Sequence, residues 1–444
     1  MPRTRFLIFA LLISCVPLWC QVEPSATGGS GTDDDDSMMT LPPQISGSFY
    51  PSETGGERRE NVMTAGVLFT AGYDDNILAG LETHAISAES FVVRPEISIA
   101  TMTSRVRGSL TYSPGVMYFH PTTELNEVTQ NAVADFSYRW TPHTIVGVQE
   151  VFQQNSTALS QPYTLAGATL SATGALEGTE IINSYAGQWS DMTSGHMGYQ
   201  FSRSSMVSAS GYFSSYNFSS NANTLGLYDS IGGGGAAAYT RRMSRTQYLG
   251  FSYRYALNNT STYGVTTTNQ FGEAFYSIKL PNNFSLSLTG GPEYTTTSET
   301  GQATTHAWDP SGSAGLGWQR PRSNYAINYR RAVTAGWGLF GTFTSDAASA
   351  LARWQFTQRL AGSVNGNYAN TKNATNLVAT YTPTGHTLFG RAGVEYKLAE
   401  HINLVGEYMH LHNSYYGIPE FSRAPNDDRV SFSINYGFQR PLGR

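Results

Sequence analysis

A chain of 444 residues can form several globular domains or one large closed sheet. Only 13% of it is charged, about half the share usual in soluble domains, and the formal net charge of −5 excludes a basic nucleic-acid-binding footprint. The 27 Tyr, 22 Phe and 45 Gly speak against a helical protein, because aromatics favour strands and Gly weakens helices.

Residues 1–20 read as a secretory signal peptide, with Arg3 and Arg5 as the positive start and Phe6 to Trp19 as the apolar stretch. Cleavage is expected after Cys20. Leu12-Ile13-Ser14-Cys15 also resembles a lipobox, a route that would lipidate Cys15. Both cysteines fall in this segment, so the exported chain is expected to carry no disulfide and no thiol nucleophile. No later run of about 18 apolar residues follows, so any membrane crossing has to use strands. Residues 21–57, with Gly28-Gly29, Asp33 to Asp36 and Pro42-Pro43, read as a disordered periplasmic extension. Its Asp run is plainly a solvated acidic stretch, with a calcium site as the alternative.

The remainder, 58–444, is expected to be one domain. Period-two alternation begins near residue 60, with a first strand pair near 60–77 and 86–100. Leu249, Phe251, Tyr253 and Tyr255 alternate with Tyr248, Gly250, Ser252 and Arg254. Phe284, Leu286 and Leu288 alternate with Ser285, Ser287 and Thr289; Leu360, Val364 and Tyr368 oppose Ser363, Asn365 and Asn367. The last strand is the clearest: Val430, Phe432, Ile434, Tyr436 and Phe438 point one way, and Ser431, Ser433, Asn435 and Gly437 the other. Alternation is poor over 144–155 and 205–218, and the run Gly232 to Gly235 blurs the strand after 229.

Alternation alone suits a soluble sandwich as well as a membrane barrel, and three further features separate them. The off-face residues are Ser, Asn, Thr and Gly with scattered charge, as in a hydrated lumen. Short turns near 141–143, 202–204, 242–244, 281–283, 320–322, 357–359 and 399–400 alternate with longer polar stretches. Those stretches lie near 120–129, 155–185, 218–230, 257–266, 296–312, 334–346, 371–386 and 412–428. Aromatics recur beside the short turns: Trp140, Phe201, Phe284, Trp318, Tyr325, Trp354, Phe356 and Phe438 are the expected girdle at the membrane interface. The fold class expected is therefore all-β: a transmembrane antiparallel up-and-down β-barrel of about 18 strands, with 16 as the alternative count and both termini on the periplasmic side.

Tyr73-Asp74-Asp75-Asn76-Ile77, Arg105-Val106-Arg107, Tyr112-Ser113-Pro114-Gly115-Val116 and Trp140-Thr141-Pro142 together resemble a bacterial family of porin-like outer-membrane β-barrels. That family carries an aromatic-Asp-Asp-Asn signature near its first strand, and its function is poorly defined. The resemblance is carried by motifs over roughly 60–155 and by pattern afterwards. It implies a Gram-negative outer-membrane location, reached after export through the inner membrane. Some members are regarded as companions of exopolysaccharide export. The last strand is also similar to the signal read by the barrel-assembly machinery, which usually ends on an aromatic residue; here Phe438 is followed by six further residues.

Strand parity places Arg94, Glu96, Arg107, Asp135, Arg139, Arg254, Glu273, Lys279, Glu293, Arg330, Arg353, Arg391, Glu395 and Glu407 on the polar face, as expected pore-lining residues. Facing lipid, an Arg or Lys would cost about 2–4 kcal/mol at midplane. Their mixed signs predict lateral Arg–carboxylate pairs and a transverse field, or simply a wetted and braced wall. His410 and His412 share a face and read as loop-edge histidines, without further ligands at metal-site spacing. Asp74-Asp75 reads as a turn or wall brace, with a rim calcium site as the alternative. G-x-S-x-G and H-E-x-x-H are absent from the sequence, so no catalytic, cofactor or metal residues are assigned and the chain is not expected to be an enzyme. The loop at 155–185 is either external or folded inward. The expected partners are outer-membrane lipid, the assembly machinery, and a polar solute or a polysaccharide, without nucleic acid. The expected function is passive diffusion of small polar solutes, with a non-conducting part in exopolysaccharide export or surface assembly as the alternative.

Overall fold

The alternating segments become eighteen strands in a computed structural model that describes residues 61–78, 85–155, 187–219, 228–260, 264–299, 301, 303–335, 342–374, 384–416 and 425–442. The expected signal peptide, the extension and nearly all of loop 155–185 lie outside the described residues. In chain order the strands are β1 (Val62–Asp74), β2 (Ala88–Met102), β3 (Val106–His120), β4 (Glu127–Thr141), β5 (Thr144–Asn155), β6 (Gln188–Ser202), β7 (Ser205–Phe218), β8 (Ser230–Ser244) and β9 (Gln247–Thr260). They continue as β10 (Val265–Leu280), β11 (Phe284–Ser298), β12 (Thr305–Arg320), β13 (Ser323–Ala335), β14 (Thr342–Gln355), β15 (Leu360–Asn373), β16 (Thr384–Ala399), β17 (Ile402–Tyr416) and β18 (Asn426–Pro441).

Each strand pairs antiparallel with its neighbours in sequence, and β1 pairs with β18 from Val62↔Pro441 to Asp74↔Arg429, so the sheet closes on itself. Closure removes the edges that an open sheet would present. Both ends of the barrel chain lie at the short-turn end, where Leu442 N–H donates to Asn61 O at 2.6 Å. One short turn was not expected, at 103–105 between β2 and β3. The turn Pro281-Asn282-Asn283 places both asparagines at positive φ, a conformation Asn tolerates better than most residues.

The apolar face of each strand looks outward. Phe251 and Ile327 are each 59% exposed, whereas the neighbouring Ser252 is 9% exposed on the opposite face. Two stacked sheets would have buried those rings between them. Instead they form a belt around a closed barrel, a surface matched to hydrocarbon.

Several strands run further toward the long loops than expected. The polar stretches 257–266 and 296–312 hold strand ends as well as connections: β9 reaches Thr260, β10 starts at Val265 and β12 starts at Thr305. Above the hydrocarbon band a strand needs no apolar outer face, so Thr- and Ser-rich ladders continue there without alternation. The blurred segments also have a physical cause. At Gly147 in β5 an added Cβ would sit 2.3 Å from the His196 ring, and at Gly234 in β8 it would meet Tyr212 at 2.8 Å. In both cases a ring from an adjacent strand covers a glycine, so one strand lacks the side chain that its neighbour supplies.

Candidate functional site: the inner wall of the barrel

The fourteen charged residues named from parity stand at inner positions of β2, β3, β4, β9, β10, β11, β13, β14, β16 and β17, opposite the exposed apolar belt. Two of the expected lateral pairs form. Arg353 Nη2 lies 3.2 Å from Glu395 Oε2, and Arg391 is hydrogen-bonded to Glu407. Arg254 lies over the Phe271 ring at 5.0 Å, and Ser252 Oγ donates to Glu273 at 2.6 Å. Arg94 sits in the field of Glu96 and Glu127.

The signs of the inner charges differ along the barrel axis. Beside the short turns, the inner positions carry Arg107, Arg139, Arg242, Lys279, Arg353 and Lys397 against the single carboxylate of Glu395 among the described residues. Toward the long loops the inner positions carry Asp74, Glu127, Glu293, Asp309 and Asp427, with Arg94, Arg330 and Arg429 among them. The two ends of the inner wall therefore present different local potentials.

The wall is not a plain cylinder. The β12–β13 ladder stops at Gly312↔Arg331, although both strands continue beyond it. Pro310 stands opposite Pro292. Neither has an N–H, so this rung cannot be a hydrogen-bonded one, and the missing donor of Pro310 faces β13 where pairing ends. The upper part of the β13–β14 ladder turns inward instead. Val333 N–H donates to Glu293 Oε2 at 3.1 Å, and Asn269 Nδ2 donates to Val333 O at 3.3 Å. The hydroxyl of Thr342 lies 2.9 Å from that of Thr267 and 3.2 Å from that of Thr297. Ser311 donates to Glu293, which is only 1% exposed. Val333, Thr342 and Phe343 are fully buried. Val333 of β13 and Thr342 of β14 are thus fastened over the inner face of β10 and β11. Asn269, Thr267, Thr297 and Thr342 carried no signal in the sequence, since ordinary strand threonines look the same.

The expected girdle residues lie on the outer face next to the short turns. Four of them make a continuous chain of rings: Phe284–Trp318 at 4.9 Å, Trp318–Tyr325 at 5.2 Å and Tyr325–Trp354 at 5.7 Å between centroids. Trp354 Nε1 donates to Tyr325 Oη at 2.7 Å, and the Arg320 guanidinium lies 4.0 Å over Trp318. Phe201 stacks near Tyr239 at 6.2 Å and Phe438 lies 6.4 Å from His401, while Trp140 and Phe356 are simply exposed.

His410 and His412 face outward, with Nδ1 atoms 2.8 Å from Asp428 and 2.7 Å from Asn426. Asp74 and Asp75 brace the closing joint: Arg429 Nε lies 3.4 Å from Asp74, Asp428 N–H donates to Asp75 at 2.7 Å, and Asn76 Nδ2 donates to Asn426 O at 2.6 Å.

No protein-family model matches the chain, and no curated protein matches it. The fold is similar to that of several solved structures. OccK2 (OpdF) of Pseudomonas aeruginosa is 8% identical with a TM-score of 0.46, covering 86% of this chain and 98% of that one. OccAB4 of Acinetobacter baumannii is 10% identical with a TM-score of 0.42, over 86% and 98%. The ferric-catecholate import receptor Fiu of E. coli K12 is 8% identical with a TM-score of 0.44, over 86% and 82%. The similarity is one of barrel shape.

Proposed function

We propose that this protein is an outer-membrane channel for passive diffusion of small polar solutes. The observation that carries this reading is the pairing of a closed 18-strand sheet and an apolar outer belt with an inner wall of Ser, Thr, Asn and charged residues. Eighteen strands are enough to enclose an aqueous path, and wetted charges on such a wall remain ionised at little cost. Segments 1–20 and 21–57 act in this reading as export signal and periplasmic extension. The inward β13–β14 end supports a restricted passage, and it is also what favours the second reading, a closed barrel serving exopolysaccharide export or surface assembly.

Single-channel recording with the purified, folded protein in planar bilayers decides between them. The channel reading expects stepwise, reproducible conductance. A folded barrel that inserts and stays silent overturns it and leaves the second reading.

A further inference from the structure

The joint between β1 and β18 holds more negative charge than its brace needs. Asp74 and Asp427 are buried, at 1% and 2% exposed, and Asp75 stands exposed beside them. One carboxylate oxygen from each lies within 4.8 Å of the others. A cation bound 2.3–2.6 Å from each of two oxygens keeps them at most about 5 Å apart, so this spacing fits a single ion of the calcium size.

Asp74 uses one oxygen to accept Asn76 N–H at 3.0 Å and the other to face Arg429; Asp75 accepts Asp428 N–H. Asp427 Oδ1 is different: it is buried and has no hydrogen-bond partner. A buried carboxylate oxygen left without a donor is costly, and a cation is the partner that answers it. Three carboxylates against Arg429 leave a formal charge of −2, which matches a divalent ion. The donor set is all oxygen, which suits a hard cation and not zinc.

We propose that Asp74, Asp75 and Asp427 bind one calcium-type divalent cation at the loop-side rim, clamping the first strand of the barrel to the last. The aromatic-Asp-Asp-Asn stretch then supplies two ligands from β1 and its exit, and β18 supplies the third from 353 residues away. The cation sits at the strand pair that closes the sheet, where a clamp acts on the whole circumference.

The test uses the full-length folded barrel in detergent micelles, stripped with a chelator and titrated with Ca²⁺ by calorimetry, with thermal unfolding followed in parallel. One saturable Ca²⁺ per chain and a Ca²⁺-dependent rise in unfolding temperature are expected. Asp427→Asn should abolish both. Asp75→Asn keeps an oxygen for Asp428 N–H while removing one charge, and should weaken binding roughly tenfold. Because Asp75 is exposed, that variant keeps the test decisive where Asp427→Asn fails to fold. Absence of saturable Ca²⁺ binding in the wild-type chain overturns the proposal; a proton shared by Asp74 and Asp427 then satisfies the pair. Binding of equal strength in the Asp75 variant overturns it as well.

Discussion

The two ends of the barrel are built from the same eighteen strands and differ in almost every other respect. At the short-turn end the strands stay paired up to the turns, with a one-residue register shift in four of the turn-linked pairs, the outer face carries stacked rings, and the inner face is basic. At the loop end carboxylates outnumber the cations of the inner face, the β12–β13 ladder has come apart, and Val333 of β13 and Thr342 of β14 are bonded to the inner side chains of β10 and β11. A tight turn holds the two strand ends together, so pairing persists up to the turns despite these shifts. The loop end is freed from that constraint and from the demand for an apolar outer face. That freedom lets the backbone leave the cylinder and lets carboxylates gather.

The sharpest way to break this comparison is at Glu293. Glu293→Ala removes the acceptor of the buried Val333 N–H and of Ser311, which should cost about 1–3 kcal/mol in denaturant unfolding of the folded barrel. It should also raise single-channel conductance, because Val333 of β13 loses its anchor on the inner wall. A conductance equal to wild type, with the barrel still folded, would show that the hairpin end does not narrow the passage.

The basic end answers to a smaller change. A triple variant, Arg139→Gln, Lys279→Gln and Arg353→Gln, removes half of the six positive charges beside the turns. Potentials of a few kT shift ion preference by roughly 3- to 10-fold, so the cation share of the current should rise by about that factor. Reversal potentials in a salt gradient measure it. An unchanged ratio would place the selective step elsewhere on the axis, toward the acidic loop end.

The regular end is also the part that the sequence made legible. Phe432 and Ser433 take opposite faces, as do Val364 and Ser363, because a pleated strand permits nothing else, and summing such runs yields the eighteen strands. Alternation blurs where a neighbour supplies the side chain, as His196 does over Gly147. The loop end was opaque for a different reason. Glu293 meets Val333 across 40 residues, and Asp427 joins Asp74 only because the first and last strands pair. Local periodicity holds no record of which threonines face an incoming hairpin or which carboxylate arrives from the far end of the chain. The proline pair at 292 and 310 is a local sign of a rung without a donor, but Pro95 and Pro114 face each other in the same way on β2 and β3, so the pair alone does not mark where the ladder parts.

The smallest effect lies within the ring chain of the turn end, at Tyr325. Its hydroxyl accepts Trp354 Nε1–H, while its ring stacks on Trp318 at 5.2 Å. Tyr325→Phe keeps the stack and the apolar contact and removes only the acceptor, so the loss should be roughly 0.5–1 kcal/mol. At the membrane interface water can replace that acceptor, which keeps the cost near the lower figure. Tyr325→Ala in the same measurement also removes the ring contacts with Trp318 and Trp354, each worth about 0.5–1.5 kcal/mol beyond buried area. If the Phe variant loses as much as the Ala variant, the hydroxyl and not the stacking holds the turn end together. The expected order, with Ala well below Phe and Phe just below wild type in urea midpoint, ties the regularity of that end to packed rings.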